Sequence, residues 1–229
     1  MPDAVFELYR DGGGLQFDAS IRIPILLRSG AITPTETRTG GPSKAIISLS
    51  PGEIIAYSCP DVAIINVYNP TSVEIAVAGT SDVFYYVFGY ADPGPPTNPI
   101  FQVWTDDDPQ VLIYDRRQKP LNIVAITNGS QSLSLPAGKY ACIQQAVHMV
   151  DTRVSLPPPP ADATNLIANI TAEGCRIHPT SGAVDILGGL VEYKEYTGSF
   201  SAFQRSQWDG SSTNNGLTSK FFILKVDGY

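Results

Sequence analysis

The chain has 229 residues, enough for one large or two small β domains, each with a buried core. A formal net charge of −7 and a pI near 4.7 argue against nucleic-acid binding through phosphate neutralisation, which needs a basic face. Only 16% of residues are charged, whereas Gly (20), Pro (19), Tyr (11) and Phe (9) are plentiful, a profile of short strands and tight turns rather than helices.

In chain order, residues 4–9 alternate, Asp11 and three glycines supply a turn, and a strand follows at 15–18. Pro24 interrupts the next apolar run, which predicts an edge strand or a bulge there. Residues 31–43 read as a polar connector, a mobile loop or an arm reaching towards a neighbour. Runs 45–49, 54–57, 62–68 and 73–78 are separated by Pro-centred turns with Asp or Asn placed to bond back to the backbone. A fifth run, 83–90, is aromatic on both faces. Strands about ten residues apart with such turns predict an all-β, antiparallel sandwich, with 62–68 as a central strand.

Residues 91–99 read as a stiff Pro/Gly linker. Runs at 131–135, 139–147 and 149–154 complete a sheet, so a first domain spans 1–156, divisible into related units of about 1–90 and 91–156. Pro157 to Pro160 form a polyproline linker. Beyond it, 161–229 reads as a C-terminal β module or extended arm with apolar runs at 166–170, 175–177, 184–193 and 221–226. Its stretch 197–220 is rich in Gly, Ser and Asn.

Enzyme chemistry finds little support in these residues. No G-x-S-x-G elbow presents a nucleophilic serine, and the two histidines, His148 and His178, sit in an alternating strand and a turn. Cys59, Cys142 and Cys175 have neither disulfide nor zinc spacing and read as partly buried small apolar side chains. Asp106, Asp107 and Asp108 are weak calcium candidates, since the glycine and distal glutamate of a calcium loop are missing. No cofactor is expected. Carboxylate pairs for glycoside cleavage are available in any acidic β protein, which leaves a glycan-degrading enzyme as a third and weaker reading.

Binding readings are sharper. Trp208, with Gln207, Asp209, Asn214 and Asn215, combines a ring for stacking with groups that bond hydroxyls, as saccharide recognition requires. The competing reading anchors Trp208 on a neighbouring domain or subunit. Tyr85, Tyr86, Phe88 and Tyr90 read as core or interface residues buried against another chain. No apolar stretch reaches the roughly 18 residues of a membrane span, and no secretory signal pattern opens the chain.

One unit occurs twice. In the pair FELYRDGGGLQFD and FQVWTDDDPQVLIYD, Leu8 answers Val103, Tyr9 answers Trp104, Leu15 answers Leu112, Phe17 answers Tyr114 and Asp18 answers Asp115. Pro24 and Ile25 then answer Pro120 and Leu121, and the length differences fall in the turns. The second copy, with Gln102-Val103-Trp104, Leu112-Ile113-Tyr114-Asp115, Lys119-Pro120-Leu121 and Ile123-Val124 after an aromatic strand, resembles small bacteriophage tail-tip and tail-fibre structural proteins. Pro109-Gln110 departs from the glycine turn of that family, and Ile100 stands where a glycine is common; the resemblance covers residues 83–127 best. It implies a non-enzymatic virion protein made in the host cytoplasm, contributing to tail assembly and host attachment. The implied partners are tail hub or fibre subunits, further copies of itself with a trimer as the expected symmetry, and a host-surface glycan or protein. The alternative expectation is a free carbohydrate- or receptor-binding β-sandwich using loop 197–218.

Overall fold

The computed structural model describes residues 7–9, 15–18, 24–36, 41–90, 102–104, 112–115, 119–156, 164–198, 210–213 and 218–229. Among them there is no helix, and the strands form two large antiparallel sheets packed face to face, an all-β sandwich.

The first sheet has six strands. β3 (Ile25–Ile32) is at one end, followed by β9 (Val83–Gly89), β6 (Ile54–Ser58), β14 (Tyr140–Ala146), β19 (Lys220–Lys225) and β12 (Ile123–Ile126) at the other end. The second sheet runs from β4 (Thr35–Glu36) through β5 (Ser43–Ser48), β8 (Ser72–Val77), β7 (Ala63–Asn69), β16 (Thr164–Ile177) and β17 (Ala183–Gly198) to β13 (Gln131–Ser134). β15 (Met149–Leu156) pairs with β16 outside this path, and β18 (Gly210–Thr213) pairs with β15. The predicted central strand is indeed interior. β3 is an edge strand with a register shift between Leu26 and Arg28, as Pro24 just before it suggested.

Period-two alternation explains the packing. Ile55, Tyr57, Cys59, Val83, Val87, Tyr140, Cys142, Phe221 and Ile223 from the first sheet meet Ala45, Ile47, Val73, Ile75, Val77, Cys175, Ile177, Val184 and Ile186 from the second. Gln144 joins the layers through a side chain. Its amide accepts from the Ile65 N–H (2.8 Å) and donates to the Ile65 carbonyl (2.9 Å), mimicking a strand partner. The first sheet's outer face carries a second apolar cluster of Ala56, Phe88, Ala141, Leu224 and Val226, with Tyr229 edge-on to Phe88 at 6.0 Å.

Two readings from sequence alone need revision. Residues 31–43 are not a single free connector: Ala31 and Ile32 end β3, and Thr35–Glu36 pair with Ser43 and Lys44. A polar, Pro-containing composition suits a short edge strand as well as a loop. The two runs at 166–170 and 175–177 are one strand, β16, paired with β17 along its length, and Gly174 between them passes so close to β7 that no side chain fits. Pairing also crosses the polyproline position: β19 is hydrogen-bonded between β12 and β14, and β16 to β7.

The two matched hairpins have equivalent registers. β1 (Glu7–Tyr9) meets β2 (Leu15–Asp18) as Glu7 with Asp18, Leu8 with Phe17 and Tyr9 with Leu15. β10 (Gln102–Trp104) meets β11 (Leu112–Asp115) as Gln102 with Asp115, Val103 with Tyr114 and Trp104 with Leu112. In both, the irregularity falls between the second and third pair. The segments that follow meet each other: Ile25 bridges Pro120, the Leu26 N–H donates to the Lys119 carbonyl (2.9 Å) and the Leu121 N–H to the Pro24 carbonyl (3.0 Å).

Candidate functional site

Trp208, Gln207, Asp209, Asn214, Asn215 and Asp106–Asp108 lie outside the described residues. The aromatic strand β9 is described in full, and alternation splits its rings between two environments. Tyr85 faces the sandwich core with its ring over Gly30, its partner on β3, where a Cβ would lie 2.6 Å from the Tyr85 hydroxyl. Phe88 points outward yet is fully buried in the chain's own outer cluster, so the isolated chain offers none of its surface to a partner. Tyr90 is 53% and Phe84 42% exposed, and Tyr86 is half-buried.

Phe84 and Tyr86 form one wall of a cleft of about 140 Å³ at one end of the six-stranded sheet's outer face. Ser58, Lys139, Tyr140, Pro60 and Pro179 complete it. The cleft follows from residue size. Across the β6–β9 ladder the two rings stand beside Ser58 and Ala56, whose small side chains leave space over the sheet. Pro60 and Pro179 come from turns at the same end of the sandwich and close it.

Its electrostatics are mixed. The Asp227 carboxylate accepts the Lys139 backbone N–H at 2.7 Å and pairs with the Lys225 ammonium at 3.4 Å. That backbone hydrogen bond holds the Asp227 carboxyl below its ordinary range, so it is ionised at neutral pH. Burial, and then the Asp227 charge, push the Tyr86 hydroxyl up, keeping it a neutral donor. The residues lining the cleft thus offer ring faces, hydroxyls and an ammonium, a set suited to binding a polar ring. Loop composition drew attention to Trp208; the alternation of small and aromatic residues on β6 and β9 was the signal for this cleft.

A second surface feature is the edge strand β12. Ile123 and Val124 are each 43% exposed and Ile126 is 59% exposed, on a strand whose one described neighbour is β19. Three exposed aliphatics thus stand on a strand that carries no charge.

Two polar clusters have other work. Asp185 accepts from the Ser132 hydroxyl (2.6 Å) and from Arg176 Nη2 (2.7 Å), and lies 3.2 Å from His178 Nε2. Ser132 and His178 bind the same carboxylate, so the histidine is not placed to take the serine's proton, and the cluster ties β13, β16 and β17 together. Glu173 accepts from Ser130 and Ser219 beside His148, pinning the β12–β13 turn to the start of β19. The three cysteines are buried, and burial pushes the Cys59 thiol up to about 12, so it stays protonated and inert. Among the described residues no group of three or more His, Cys, Asp and Glu is placed to hold a metal ion.

Comparison with family models, curated proteins and solved structures gives no match to the chain.

Proposed function

We propose that the chain is a virion structural protein of a phage tail tip or tail fibre, acting through tail assembly and host attachment rather than catalysis. The motif of the second hairpin supports this reading, as does the equivalent register of the first, which fits two copies of one structural unit. The observation that carries the assembly half is the β12 edge with Ile123, Val124 and Ile126 exposed, which a subunit would bury against another tail protein or another copy of itself. Light scattering on a sizing column tests it with the wild-type chain and Ile126→Lys. The expected result is a wild-type oligomer, a trimer by the symmetry of tail hubs and fibres, and a smaller species with unchanged circular dichroism for the variant. A wild-type monomer at tens of micromolar whose mass and solubility ignore the substitution would remove this support.

A second reading, a carbohydrate- or receptor-binding sandwich, is favoured by the Phe84–Tyr86 cleft, which adds a described candidate surface to loop 197–218.

A further inference from the structure

We propose that the cleft walled by Phe84 and Tyr86 and edged by Lys139 binds a single pyranose ring bearing a carboxylate, such as a terminal uronic acid of a surface polysaccharide. The proposal deepens the attachment half of the function above and rests on it.

A pyranose has one face of C–H bonds and a rim of hydroxyls. The apolar face needs an exposed aromatic surface, and Phe84 and Tyr86 supply one outside the main core. The rim needs donors and acceptors. The Tyr86 hydroxyl and the Ser58 hydroxyl, which bonds no group among the described residues, are available there as both donors and acceptors.

The charge balance selects the substituent. Lys139 and Lys225 face Asp227, and Asp227 is engaged by Lys225 and by the Lys139 backbone rather than by the Lys139 ammonium. Lys139 is the one charged residue among those lining the cleft, and its ammonium makes no ion pair among the described residues. An anionic ring ligand satisfies the Lys139 ammonium, and a neutral hexose leaves it to water. The cleft, about 140 Å³, has room for one sugar ring, and the rest of a polymer would lie outside it.

The test is titration of the ¹⁵N-labelled full chain with sodium D-glucuronate, D-glucose, sodium acetate and N-acetylphenylalanine, read by amide shifts. Glucuronate is expected to shift amides around Ser58, Phe84, Tyr86 and Tyr140 and to bind about tenfold tighter than glucose, the size of one charge-assisted hydrogen bond. Lys139→Met should abolish that preference, bringing glucuronate to the affinity of glucose; Phe84→Ala should weaken both sugars, with thermal unfolding confirming that each variant folds. Acetate binding as tightly as glucuronate would reduce the cleft to a plain anion site and overturn the proposal. N-acetylphenylalanine outcompeting glucuronate would reassign it to peptide, and no localised shift at tens of millimolar sugar would end it. Sizing-column mass is measured on the same samples, so an oligomer that binds no glucuronate rejects the site while leaving the assembly reading intact.

Discussion

Asp185 accepts hydrogen bonds from Ser132 and Arg176 and faces His178, and these contacts hold its carboxyl down at about 2, the Ser132 hydroxyl being the largest cause. A carboxyl whose folded pKa lies below its unfolded value of about 3.9 stabilises the fold above that value and loses the contribution as pH falls towards 2. The partly exposed Arg176 can rehydrate when its partner is lost, which keeps the effect small. Asp185→Asn is therefore expected to cost about 1 kcal/mol at pH 7. The gap between wild type and variant should close between about pH 4 and pH 2, where Asp185 itself becomes neutral. Urea unfolding at a series of pH values measures it; a gap that persists at pH 2 would mean that shape, not charge, does the work.

At the scale of elements, the closest contact between strands is made by an absence. A Cβ on Gly174 of β16 would lie 2.7 Å from the Ala63 carbonyl and 2.8 Å from Val62 Cγ1, and would also collide with Ile64. Backbone cannot step aside as a flexible side chain can, so Gly174→Ala should lose about 2–3 kcal/mol by overpacking. Gly188 on β17 has nothing within 4 Å of its Cβ position, and Gly188→Ala should stay within about 0.5 kcal/mol, the control for strand propensity. Chemical denaturation midpoints decide it, and equal effects at the two glycines would refute the packing account. The same pair of residues shows how legible the fold is from sequence. The runs at 45–49, 54–57, 73–78 and 83–90 emerge as β5, β6, β8 and β9 within two residues at each end, because alternation and Pro-centred turns are local signals. Gly174 reads locally as a break, since the reason for it, the neighbouring strand β7, is more than a hundred residues away in sequence. The cleft was partly legible: the aromatic strand was marked, but which ring faces outward, and that Lys139 and Pro179 arrive beside it, depends on pairing between distant strands.

For the molecule as a whole, the decisive strand is the last. β19 lies between β12 and β14 in the six-stranded sheet, with Phe221 and Ile223 in the sandwich core and Leu224 in the outer cluster. Cys175, Ile177, Val184 and Ile186 from β16 and β17 enter the same core from the other sheet. Each such buried aliphatic or aromatic side chain contributes about 1.5–3 kcal/mol, against a net stability of about 5–15 kcal/mol for a domain. A fragment of residues 1–156 therefore loses more burial than its margin allows, and β12 loses its partner β19. The expected outcome is a chain without a cooperative thermal transition and without the near-ultraviolet dichroism of packed tyrosines. Adding residues 161–229 as a separate polypeptide should restore both, since the missing strands need only dock, not be connected. A cooperative, fully dichroic 1–156 fragment would instead make the polyproline stretch a true domain boundary, with β19 an appended strand. The choice matters for assembly: if the final strand is part of the core, the β12 edge beside it is fixed in shape before any partner arrives.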